Sequence, residues 1–166
     1  MELEEGKQKF IESWGHLGSN WGISKTMAKV HALLLISHHP LNEDAIIDTL
    51  HISRGNSNTN LRALLEMGLV GKSCRDDCRK DYYTAEKDLW IVFQKIIQHR
   101  KQKELDPMIQ VLEELSSVEN KCQASEEFCK VVKDLKVFSG KADKSLSSLM
   151  NAESNWFTNA FIKMIR

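Results

Sequence analysis

The stretch from Ser53 to Gly68 constrains this chain more than any other. Its first half, Ser53-Arg54-Gly55-Asn56-Ser57-Asn58-Thr59-Asn60, carries no apolar side chain, and Leu61, Leu64 and Leu65 then follow at helical spacing. Ser53 suits a helix N-cap, and Gly68 suits the left-handed residue that ends a helix. The segment therefore predicts one helix of about four turns. With the leucines facing inward and about 100° between residues, the opposite face carries Asn56, Thr59 and Ala63, flanked by Asn60 and Arg62, with Asn58 as a further amide. Solvated helix faces are usually rich in Glu and Lys, which favour helix, whereas an Asn-rich face gives up propensity. A slim face of amide, hydroxyl and guanidinium groups fits a DNA major groove and matches base edges. The plainer alternative is an ordinary exposed or interface face.

The surroundings favour the first reading. Pro40-Leu41-Asn42 ends one helix and caps the next, and Glu43 to Leu50 is a short helix with Ala45, Ile46 and Leu50 inward. His51-Ile52 is then a tight link into Ser53, so the order is helix, turn, helix. Beyond Gly68, the β-prone runs Leu69–Cys74 and Tyr82–Ala85 flank the charged loop Arg75-Asp76-Asp77-Cys78-Arg79-Lys80-Asp81 and predict a hairpin. The fold class expected is mainly α: a winged helix-turn-helix with a small β-hairpin wing and additional C-terminal helices forming a dimerisation region.

Residues 22–37, from Gly22-Ile23-Ser24-Lys25-Thr26 to Ile36-Ser37, together with Ile52-Ser53-Arg54-Gly55-Asn56 and Asn60-Leu61-Arg62, resemble the GbsR-type branch of the MarR winged-helix transcriptional regulators. The resemblance covers roughly residues 10–100 and departs at Ser57, Asn58 and Thr59. It implies a homodimeric DNA-binding regulator, expected to repress, acting on a palindromic operator and answering to a small-molecule effector. Trp14, Trp21, Trp90 and Phe93 are the aromatic residues expected at the junction of reader and dimer helices, where such faces can hold a quaternary ammonium. Core packing is the plainer role for all four.

The residues expected to touch DNA follow from groove geometry. Asn56, Thr59 and Asn60 meet base edges, Asn58 is a further DNA-binding residue, and Arg62 reaches a base or a phosphate. Ser53, Arg54 and Gly55, at the helix N-terminus, bind phosphate. Lys72, Arg75, Arg79 and Lys80 act from the wing, while Lys25 and Lys29, one turn apart on the preceding helix, add phosphate contacts. The formal net charge of zero conceals segregation: residues 53–80 carry six basic and three acidic side chains, a local +3. Binding should therefore weaken with salt.

The remaining composition excludes more than it selects. No run of about 18 apolar residues occurs, and the start Met1-Glu2-Leu3-Glu4-Glu5 is acidic where a signal peptide is basic, so a cytoplasmic protein is expected. Of Cys74, Cys78, Cys122 and Cys129, the first pair has a zinc-like spacing but brackets the hairpin tip and the second pair has none, and reduced thiols are the intracellular default. A redox-responsive wing through Cys74 and Cys78 stays open as an alternative. His31, His38 and His39 form no His-Glu-x-x-His pattern. With no phosphate loop, nucleophile elbow or triad spacing, no enzyme, cofactor or metal is expected.

The flanking segments predict helices. Residues 2–17 show an apolar face of Phe10, Ile11, Trp14 and Leu17, ended by Gly18-Ser19-Asn20; Ser24 caps a helix to Ser37 that should be the most buried of the module. The segment 1–88 is expected as the reader and 89–166 as the dimerisation region. In the latter, stripes at Leu89–Ile97, Met108–Val118 and Phe128–Phe138 precede a turn at 139–143 and a last stripe from Leu146 to Met164. About eighty residues of winged helix cannot cover four such stripes, hence the expected two-fold partner. A winged helix that grips another protein is the remaining alternative.

Overall fold

The computed structural model describes residues 1–20, 22–74, 80–119 and 121–152. The chain forms two compact units, Met1–Val92 and Phe93–Arg166. In the first lie α1 (Leu3–Asn20), α2 (Lys25–Ile36), β1 (Leu41–Asn42), α3 (Glu43–Leu50), α4 (Arg54–Glu66), β2 (Val70–Cys74) and β3 (Asp81–Ala85). α5 (Leu89–Arg100) crosses the boundary, and a π-helical turn (Lys101–Leu105), α6 (Asp106–Leu115) and α7 (Gln123–Met150) follow. This is a mainly α winged helix-turn-helix with additional C-terminal helices.

α2 is the centre of the first unit because Met27, Ala28, Val30, Ala32, Leu33 and Leu34 are all buried. Its ends are tied off in different ways. Ser24 Oγ accepts from Met27 N–H at 3.0 Å, satisfying an otherwise orphaned donor. At the other end the Lys87 ammonium donates to the carbonyls of Leu34, Leu35 and Ser37 at 2.8, 2.5 and 3.0 Å. A cation is favourable there because the last carbonyls lack helical partners and carry partial negative charge.

α1 lies close on α2. A Cβ at Gly18 would stand 2.4 Å from Ala28 Cβ and 3.0 Å from Ile23 Cγ1. Gly18 is therefore not the break expected from the sequence: α1 runs on to Asn20, and the glycine serves the helix crossing. Leu17, expected inward, is exposed.

Asn42 caps α3, its Oδ1 accepting from Ala45 N–H at 2.9 Å. His51 ends α3 in the left-handed region at φ 52°. That residue turns the chain sharply enough for Ser53 to start α4, and Gly68 at φ 69° closes α4 into β2. The sheet has one strand more than the expected hairpin. β1 pairs antiparallel with β3, Leu41 opposite Tyr83, so the order is β1-β3-β2. Two residues carry no readable period, and β1 was legible only as a cap.

In the second unit α5, the π turn and α6 follow one another without a break, and α6 and the π turn pack against α7. The wide turn has a cause. Pro107, at the start of α6, has no N–H, and its ring would press on the carbonyl four residues back. The chain widens, and Asp106 N–H donates five residues back to Lys101 O. Lys101 Nζ then bridges Asp106 at 2.7 Å and Asp143 of α7 at 2.8 Å, while Gln94 Nε2 donates to Met150 O at 2.6 Å.

The turn expected at 139–143 does not exist: Ser139 to Asp143 are inside α7, and Ser139 is buried. No proline interrupts the segment, and one glycine costs too little to stop a helix held along its length. On α7, Phe128, Val131, Leu135 and Phe138 are exposed, Phe138 by 69%. Met108 and Val111 on α6 are exposed as well. Expectations that concern Trp156, Phe157, Phe161 and Met164 lie outside the described residues.

Candidate nucleic-acid interface

α4 divides most of its side chains between two sets, with Ala63 and Leu65 half-buried and Glu66 exposed at its end. Ser57, Asn60, Leu61 and Leu64 are buried, whereas Arg54, Gly55, Asn56, Asn58, Thr59 and Arg62 are exposed. The outward set is thus amide, hydroxyl and guanidinium, as the spacing suggested, with one exception. Asn60, expected at a base edge, is only 7% exposed. Its Oδ1 accepts from Ser24 Oγ at 2.9 Å, and its Nδ2 donates to Asn56 O at 2.7 Å and Asn56 Oδ1 at 2.6 Å. The physical reason is that the inner arc of α4 extends past the leucines into the polar half, where Ser57 is buried and Asn60 meets the cap of α2. Thr59 Oγ1 spends its proton on Gly55 O at 2.9 Å, leaving acceptor capacity outward.

Gly55 has no packing purpose within the described residues. A Cβ there would meet nothing within 4 Å, yet glycine in a helix costs about 1 kcal/mol relative to alanine. Ser53 Oγ takes the expected capping role, accepting from Asn56 N–H at 3.3 Å.

Three of the cations around α4, Arg54, Lys72 and Lys80, are already paired. Asp44, at the start of α3, receives Arg54 Nη2 at 2.5 Å and Lys80 Nζ at 2.8 Å, and Glu43 lies 3.6 Å from Arg54 Nη1. The hydrogen bonds from Lys80, then from Arg54, hold the Asp44 carboxyl below its usual range. One carboxylate thus sits between a cation of the recognition helix and a cation at the base of the wing. Lys72 pairs diagonally across the hairpin with Asp81 at 2.8 Å, which raises its pKa.

Lys25 and Lys29, expected on phosphates, face α1 instead. Lys29 hydrogen-bonds Glu12, and Lys25 Nζ is 3.6 Å from the same carboxylate and 3.3 Å from His16. Their stems cover Gly15, whose added Cβ would lie 2.9 Å from Lys29 Cγ. Arg75 and Arg79, with Cys78, lie outside the described residues. Cys74 and Cys122 are exposed, and Cys129 is half-buried.

Trp14 stacks on Phe10 at 5.4 Å between centroids and meets the His31 ring at 6.2 Å. Trp21 lies outside the described residues, and Trp90 and Phe93 are half-buried in α5 on either side of the unit boundary.

No helix among the described residues is long and apolar enough to cross a membrane. The chain matches no protein-family model and no curated protein. It does match a crystal structure described as that of a transcriptional regulator, with a TM-score of 0.68 and 14% identity, over 87% of this chain and 95% of that one. At that identity the likeness is one of fold, and the chain has the fold of a solved transcriptional regulator.

Proposed function

We propose that the protein is a sequence-specific double-stranded-DNA-binding transcriptional regulator of the GbsR-type, MarR-like kind. It acts as a homodimer on a palindromic site and is expected to repress. The observation that carries this reading is the outward face of α4: Asn56, Asn58, Thr59 and Arg62 stand exposed on a slim helix, a set that matches base edges in the major groove. Gly55, open on its outer side, admits a sugar-phosphate backbone close to the helix N-terminus, where amide donors favour anions. Arg54 and Lys80 already grip a carboxylate from two elements, and a backbone phosphate taking over from Asp44 would use the same grip.

A second copy of the chain is the occupant proposed for α7. The exposed row Phe128, Val131, Leu135, Phe138 recurs every three or four residues, the spacing of a helix-pairing seam. Charge on α7 is uneven: Glu126 and Glu127 stand near its start, and further along Lys130, Lys133, Lys136, Lys141 and Lys144 outnumber Asp134 and Asp143. Two copies laid antiparallel about the middle of that row would bring Glu126 and Glu127 of each near Lys141 of the other, unlike charges at both ends of the seam.

Gel shifts on a duplex selected by the protein, titrated with salt, test the reading. Affinity should fall by several orders of magnitude between low and physiological salt if about six or more phosphates are neutralised. Asn56→Ala should cost about 1–3 kcal/mol on the selected duplex and little on random DNA, whereas Lys80→Ala should weaken both alike. A salt slope near zero would support a protein-binding winged helix instead.

A further inference from the structure

The chain Ser24, Asn60, Asn56 has a direction, and that direction decides what Asn56 can offer to a base. It begins at the backbone: Met27 N–H donates to Ser24 Oγ at 3.0 Å, so the Ser24 hydroxyl proton is the one it has left to give. Asn60 Oδ1 takes that proton at 2.9 Å. The other end of the Asn60 amide must then be the amino group, and a second contact says the same. It lies 2.7 Å from the Asn56 backbone carbonyl, which can only accept. Its remaining N–H points at the Asn56 side chain 2.6 Å away, which must answer with oxygen. Turning Asn56 over would set amino group against amino group and leave a donor of the buried Asn60 unsatisfied, a change that costs more than an average hydrogen bond contributes.

We propose, building on the DNA-binding reading above, that Asn60 is a positioning residue that fixes Asn56 as a donor: its Nδ2 amino group faces the duplex, and Asn56 selects guanine. Guanine presents two acceptors, O6 and N7, in the major groove, whereas the usual asparagine–adenine pair needs the amide oxygen as well as the nitrogen. Here that oxygen is turned toward Asn60 Nδ2. The buried Asn60, 7% exposed, gains a reason for standing where an apolar residue would pack, since an apolar side chain could not impose a polarity on its neighbour.

Asn56→Asp tests the direction with almost no change of shape. The aspartate keeps one oxygen on Asn60 Nδ2 and turns the other, an acceptor, outward, where cytosine N4–H is the matching donor. Full-length wild type, Asn56→Ala and Asn56→Asp are each used to select from duplexes randomised over the site; the position whose preference Asn56→Ala erases is the one Asn56 reads. Guanine there for wild type, moving to cytosine by about tenfold or more in Asn56→Asp, is the expected result. Adenine for wild type, or guanine retained in Asn56→Asp, overturns the inference while leaving the DNA-binding reading intact. A wild-type protein that binds no duplex overturns that reading instead. A readout without DNA checks the relay: in the free protein the Asn60 side-chain amide protons should exchange with solvent at least about tenfold more slowly than those of Asn56, and equal exchange counts against it.

Discussion

At position 31 a histidine lies buried in α2 with its Nε2 unpartnered among the described residues, beside the ring of Trp14. Burial, and to a smaller extent the nearby Lys87 ammonium, pushes its pKa down from 6.5 to about 4. The unfolded chain therefore takes the proton first, and the native state loses ground as acid is added. This contribution is constant above pH 6.5 and is lost between 6.5 and about 4, by roughly 1.4 kcal/mol per pH unit and about 3 kcal/mol in all. Denaturant midpoints measured across that window should fall for wild type and flatten for His31→Gln. An unchanged slope would place the acid sensitivity elsewhere. Lys87 shows the complementary economy, since its ammonium, pushed down in pKa by burial, is kept charged by three carbonyls at the end of α2.

Two glycines in helices make opposite predictions. Gly18→Ala forces a methyl to within 2.4 Å of Ala28 Cβ and against Ile23, next to the cap Ser24, and should destabilise by about 1–3 kcal/mol. Gly140→Ala fills open space in the middle of α7 and should stabilise by about 0.5–1 kcal/mol. Thermal unfolding of the two variants beside wild type measures both signs. The same contrast explains what could be read from sequence. Ser24, Asn42 and Ser53 were legible as caps, and Gly68 as a helix end, because the bonds and dihedral involved are local. Asn60 was not legible. The leucines left it at the margin of the outer face, and the partner that decides its direction, Ser24, is 36 residues away in sequence. The glycine at 18 and the segment 139–143 misled for a related reason: Gly18, which looks like an end, serves a crossing, and Gly140 is carried by a helix held elsewhere.

For the molecule as a whole, the first unit covers its own core, whereas α6 and α7 leave large apolar side chains uncovered within the described residues. A second copy seated on α7 predicts a dimer in sedimentation equilibrium at micromolar concentration, and Val131→Asp with Leu135→Asp should yield a folded monomer. A monomeric wild type would remove the self-pairing while leaving the outward face of α4 as it is. The uncovered row also has a quantitative meaning for regulation. Where single chains predominate, a site that accepts only paired chains fills with the square of their concentration, so doubling the copy number raises promoter occupancy about fourfold. The greasy strip on α7 would thereby turn a shallow dose response into a steep one.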